Sequence, residues 1–82
     1  MKVQLRFFAS LREKLRRSEA EWELAEGASV ADLWSSLCNS HPDIEPLGPS
    51  MSFAVNREYV ERDRVLSNDD EVALIPPVSG GV

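Results

Sequence analysis

The chain has 82 residues, enough for one domain with a single thin hydrophobic core and too few for a second. Hydrophobic residues make up 43% and charged residues 28%, the balance of a folded globular chain and not of a disordered one. Nine Lys and Arg against fourteen Asp and Glu leave a net charge of -5, which argues against a sequence-independent grip on nucleic acid and for an acidic carrier or binding module.

Residues 2–8, KVQLRFF, set Val3, Leu5 and Phe7 on one face against Lys2, Gln4 and Arg6 on the other, the period of a half-buried strand. Phe8 follows on the outward face. No apolar run here has the length of a signal peptide, and none elsewhere reaches the roughly 18 residues of a membrane span, so the expected place is the cytosol. A helical turn carrying Leu11 and Leu15 comes next. Its basic run, Arg12 to Arg17, reads either as a solvated helix surface or as a docking patch for an acidic partner. EAEWEL at 19–24 alternates again, with Ala20, Trp22 and Leu24 inward and Glu19, Glu21 and Glu23 outward, a second strand expected to pair with the first.

Gly27 ends that strand, and Ser29 with Asp32 three residues on is a helix start signal. Val30, Leu33, Trp34 and Leu37 then form one apolar stripe at helical spacing, to be buried against the sheet. His41-Pro42 closes the helix, because the residue before proline is pushed out of the α region. With Pro46, Gly48 and Pro49 following, the next stretch is expected to be a loop. MSFAVN at 51–56 alternates Met51, Phe53 and Val55 against Ser52, Ala54 and Asn56, and Asn56-Arg57-Glu58 reads as a turn into a short strand at Tyr59 and Val60. Ser67 to Asp70 is turn chemistry, and EVALIP at 71–76 is apolar on both faces, the pattern of a strand inside its sheet and parallel to the first. The expected fold is α+β, a β-grasp with one main helix packed across a mixed sheet.

The inventory for catalysis is poor. Cys38 and His41 are three apart and could share a helix face as a thiolate pair, but a lone cysteine is more often a small buried hydrophobe. One cysteine excludes an internal disulfide, and one histidine assembles no multi-ligand metal site. The three glutamates at 19, 21 and 23 could do acid and base work only in a pocket, and read more simply as a solvated face. There is no GxGxxG and no P-loop motif. What remains is the tail, PPVSGGV at 76–82. It is either a frayed terminus or an arm thin enough to enter a channel, since glycine lacks a Cβ and reaches conformations closed to other residues.

The stretches RFFASLRE at 6–13, VADLWSSL at 30–37, FAVNREYV at 53–60 and above all DEVALIPPVSGG at 70–81 resemble the small subunit of molybdopterin synthase, a family of ubiquitin-like sulfur carriers, across nearly the whole chain. The resemblance implies a β-grasp domain at 1–76 and a flexible tail at 77–82. It implies sulfur carried as a thiocarboxylate on Gly81, with Pro77, Val78, Ser79 and Gly80 threading into a partner. An activating enzyme would adenylate the glycine with ATP and magnesium, a sulfurtransferase would supply sulfur, and the large synthase subunit would receive it, in a heterotetramer. No cofactor would be bound by this chain. Phe8, Tyr59 and Ile75 are expected as a shared docking patch beside the tail. A thiamin or tungsten-cofactor carrier, or a ubiquitin-like module carrying no sulfur, are the rival readings. Val82 departs from the family pattern, because it makes Gly81 an internal amide. Removal by a protease, loss of sulfur carriage, or an appended residue would each account for it.

Overall fold

The structure, a computed structural model, describes residues 1–77. Strand β1 (Lys2–Phe7) is followed by a short helix α1 (Ala9–Leu15), strand β2 (Glu19–Glu23) and helix α2 (Val30–Ser40). A 3₁₀ segment (Pro42–Ser50) leads to β3 (Ser52–Val55), β4 (Glu58–Val60) and β5 (Glu71–Ile75). The five strands form one sheet in the order β2-β1-β5-β3-β4. β1 and β5 are parallel at its centre, with Leu5 opposite Val72 and Phe7 opposite Leu74. β2 and β3 flank them antiparallel, and β4 closes the other edge. This is the β-grasp that the order of the sequence patterns implies.

Alternation decides which face is which. Val3, Leu5, Phe7, Phe53, Val55, Val72 and Leu74 point to the covered face, each at most 2% exposed. Helix α2 supplies the opposing surface through Val30, Leu33, Trp34 and Leu37. Its start is fixed by a reciprocal capping box. The Asp32 amide donates to Ser29 Oγ at 3.2 Å, and the Ser29 amide donates to Asp32 Oδ2 at 2.9 Å. Its end comes at His41, whose φ of -136° and ψ of 77° leave the helical region just before Pro42. Gly27, at φ +83°, makes the turn into this helix in a conformation that a side chain would strain.

The stretch expected as a loop at 42–50 is instead wound as a 3₁₀ helix. Pro42 sits at its first position, where the missing amide would have had no partner anyway. The segment is also part of the core. Ile44 is fully buried, and Gly48 lies under the Trp34 indole. Prolines mark the end of an α-helical pattern but do not forbid i to i+3 winding, so they do not distinguish a loop from a 3₁₀ helix.

Candidate docking face and tail root

The two ends of β5 have different roles. At its start, the Asn56 side chain accepts from the Glu71 amide at 3.0 Å and donates to Asp70 Oδ1 at 3.0 Å, locking the strand to the β3–β4 turn. At its far end β5 runs into buried Pro76 and exposed Pro77. The neighbouring parallel strand β1 ends on the same side, since Phe7 faces Leu74. The tail is therefore rooted in the middle of the sheet, held on both sides by strands. Pro77 is the last described residue. Val78, Ser79, Gly80, Gly81 and Val82, which include the expected sulfur-bearing position, lie outside the described residues.

The uncovered face of the sheet carries Arg6, Phe8, Ala73, Ile75, Ser52, Ala54 and Tyr59. Register aligns Arg6 with Ala73, Ala73 with Ala54, and Ala54 with Tyr59, one row across four strands. A shallow depression of about 270 Å³ lies along it, lined by Arg6, Phe8, Ala54, Arg57, Glu71 and Ala73. Small side chains make its floor. Ala54, expected on the outward face, is on that face but only 6% exposed. Arg6 forms one wall, 3.8 Å from the Glu71 carboxylate and with its guanidinium carbon 5.9 Å from the centre of the Phe8 ring.

Of the three expected docking residues, Phe8 lines this depression at 36% exposure, and Tyr59 is 74% exposed. Carrying the β1–β5 register one residue on sets Phe8 beside half-buried Ile75. Tyr59 shares the face but belongs to a second depression of about 280 Å³ with Met51, Ser52, Val60, Glu61 and Arg62. Phe8 and Ile75 are thus brought together next to the tail root, while Tyr59 stands two strands from β5. Arg57 was not singled out from the sequence. Its only signal is its place after Asn56 in the hairpin turn, where both residues take positive φ, 51° and 73°. That is the backbone of a tight two-residue turn, in which the second position favours glycine.

The other candidate groups do not form a site. Cys38 is buried on α2, and burial first, then the Glu45 carboxylate, pushes its thiol above the ordinary range. His41 has left the helix as its cap, so the two do not present a common helical face. Glu21 is taken up by surface contacts, accepting from Gln4 at 3.2 Å and lying 3.7 Å from the Lys2 ammonium. Among the described residues no three His, Cys, Asp or Glu side chains converge to hold a metal ion. No helix among them is long and apolar enough to cross a membrane.

The central parallel strand thus leaves the sheet through buried Pro76 and exposed Pro77, with two glycines following in the sequence. The model of the ThiS family matches residues 5–81. The chain belongs to that family. Its relatives include the molybdopterin synthase sulfur carrier subunit of Chlamydomonas reinhardtii, 37% identical, with 99% of this chain and all of the relative covered. At this identity and coverage the chain also belongs with the molybdopterin synthase sulfur carrier subunits. Among solved structures, SAMP1 from Haloferax volcanii superposes with a TM-score of 0.87 at 25% identity, covering 99% of this chain and all of that one. A Pyrococcus furiosus protein assigned as subunit 1 of molybdopterin converting factor gives 0.85 at 32% identity, covering 95% and 99%. The ubiquitin-like β-grasp is common to them.

Proposed function

We propose that this chain carries sulfur as a thiocarboxylate on Gly81 and delivers it, as the small subunit of molybdopterin synthase, to the pterin precursor of the molybdenum cofactor. The observation that carries the reading is the family match running through Gly80 and Gly81 and stopping before Val82. It is supported by a tail rooted at the end of a central strand, beside an apolar depression lined by Phe8.

The chemistry follows from what a carboxylate lacks. It is a poor electrophile, so a partner enzyme must first adenylate it with ATP and magnesium, releasing pyrophosphate. A persulfide on a sulfurtransferase then displaces AMP, and a thiol cleaves the resulting acyl disulfide, leaving the thiocarboxylate on the glycine and a disulfide between that thiol and the sulfurtransferase. Gly81 is bonded to Val82 through an amide, so cleavage of that bond precedes activation. Glycine suits the reacting position because no Cβ crowds the narrow passage through which the tail must thread. The domain contributes no acid, base or metal to the reaction. It positions the tail through the patch of Phe8, Ile75 and, farther off, Tyr59, used in turn by the activating enzyme and by the large subunit. The catalytic groups then belong to the large subunit, the assembly is a heterotetramer, and the reaction is cytoplasmic.

The test is a chain ending at Gly81, incubated with the activating enzyme, ATP and a sulfur donor. Mass spectrometry should show a gain of one oxygen-to-sulfur exchange at the C-terminal peptide, and the chain that retains Val82 should show none. Equal AMP formation by both chains overturns the assignment of Gly81. The likeness to SAMP1 favours a second reading, a modifier joined to other proteins through the same glycine. Recovery of Gly81 linked to lysine side chains instead of as thiocarboxylate would select it.

A further inference from the structure

The basic run at 12–17 has no place in the chemistry above. It holds four of the nine Lys and Arg residues, Arg12, Lys14, Arg16 and Arg17, against the single acid Glu13, a net charge of +3. The other 76 residues therefore sum to -8. All four cations are exposed. None is in an ion pair among the described residues, where the pairs are Met1 with Glu26, Lys2 with Glu21 and Arg6 with Glu71.

Local structure accounts for only half of the cluster. Arg12 and Lys14 lie in the last turn of α1, where cations complement the helix dipole. Arg16 and Arg17 lie beyond that turn. Arg16 occupies the cap in the left-handed region at φ 58°, a place where glycine fits without steric conflict and arginine does not. A strained cap bearing a guanidinium is a poor choice for folding alone.

Topology places the cluster at one end of the sheet. α1 starts directly after β1, packs on β5, and returns the chain to β2, whose residue Glu19 pairs with Arg6. It therefore caps the end at which β5 releases the tail. We propose that Arg12, Lys14, Arg16 and Arg17 form an electrostatic guide that recognises an acidic rim around the tail-accepting mouth of the protein partner. This rests on the sulfur-carrier reading, because it is the tail's insertion that the guide aligns. A small cationic patch on a chain that is otherwise strongly acidic suits a compact carboxylate cluster on a protein. It does not suit a phosphate polymer or a lipid surface, which would also meet the repelling remainder.

The experiment follows association with the large synthase subunit from the same organism by stopped flow, from low to high salt. The triple variant Lys14→Glu, Arg16→Glu, Arg17→Glu should associate about 10-fold or more slowly at low salt, with the difference vanishing at high salt. Arg16→Gly separates fold from function, since it should raise the melting temperature while slowing association. Circular dichroism confirms that each variant is folded. All chains in the experiment end at Gly81, and failure of the otherwise unaltered one to bind the large subunit overturns the sulfur-carrier reading and this guide with it. A complex whose association is unaffected by the triple reversal overturns the guide alone, as does cluster-dependent binding to RNA or anionic vesicles with no effect on the complex.

Discussion

Replacing Gly48 with alanine tests the packing of the 3₁₀ segment on α2. A Cβ built there lies 2.9 Å from Trp34 Nε1, closer than side chains pack, and 3.6 Å from Cε2, an ordinary contact. The indole cannot swing away freely. It is 8% exposed and meets the Phe53 ring edge-on, with centroids 6.0 Å apart and planes at 70°. Phe53 is held in turn by the Arg62 guanidinium, whose carbon lies 5.1 Å from its ring centre. Arg62 also donates to the carbonyls of Gly48 and Met51, so the same residue clamps both sides of the contact. Overpacking of this kind costs about 1 to 3 kcal/mol. The loss of backbone freedom in the unfolded chain offsets about 0.4 to 1 kcal/mol of it, because Gly48 does not need a positive φ. A net loss of about 1 to 2 kcal/mol lowers the melting temperature of a domain this small by roughly 4 to 16 °C. Thermal and urea unfolding followed by circular dichroism measure it, and a double-mutant cycle with Trp34→Phe locates its cause. In that background the nitrogen is gone and the alanine penalty should nearly disappear. A melting temperature unchanged or raised in Gly48→Ala, or an equal penalty without the indole, would show that Gly48 is not held under Trp34.

Leu37 is fully buried, so Leu37→Ala should destabilise by roughly 2 to 5 kcal/mol in urea titration; an unchanged midpoint would place the helix in another register. The Cys38 thiol, raised by burial, should resist alkylation near neutral pH in the folded chain and react once the chain is unfolded. Its sign in stability is fixed as well. The unfolded chain loses the thiol proton first, so stability is intact below the ordinary thiol pKa of about 8.5 and declines as pH rises above it; a decline absent in Cys38→Ser and present in the parent chain identifies the group. Cys38→Ser should leave sulfur transfer intact, and loss of transfer in a folded variant would revive a role for the thiol. Ile75→Lys should weaken binding to both the activating enzyme and the large subunit while unfolding stays cooperative. Unchanged calorimetric affinities would move the shared patch off this face.

The parts of the fold that were legible are those in which one short period governs burial. β1 shows Val3, Leu5 and Phe7 against polar neighbours, and β5 shows apolar residues on both faces because both edges and one face are covered. The capping box of α2 is local chemistry and needs no tertiary knowledge. The segment at 42–50 was not legible, because its order comes from Ile44 and Gly48 docking on α2, and prolines carry no signal that distinguishes a loop from a packed 3₁₀ turn. Arg62 was missed for the same reason: its carbonyl and aromatic partners come from residues 48–53, and only folding assembles them. The candidate docking face was half legible. Alternation placed Phe8 and Ile75 on the uncovered side, but the depth of the depression depends on Ala54 and Ala73, whose importance lies in what they lack.

Under the proposed function, the position of β5 would let such a small domain serve two partners through one tail. A tail leaving an edge strand would be anchored by one ladder of hydrogen bonds, and tension on insertion could peel it away. β5 is held by β1 on one side and by β3 on the other. Val72 and Leu74 are fully buried beneath it. Detaching it means exposing both ladders and the centre of the core together, which is close to global unfolding in a domain with a single core. Pro76 and Pro77 then add no amide donors that could extend the ladder, so the strand stops at the sheet's margin. Force or ordering imposed on residues beyond Pro77 is thereby confined to the tail. On the proposed reading, the uncovered face beside its root would then meet one protein after another without rearrangement of the sheet that carries it.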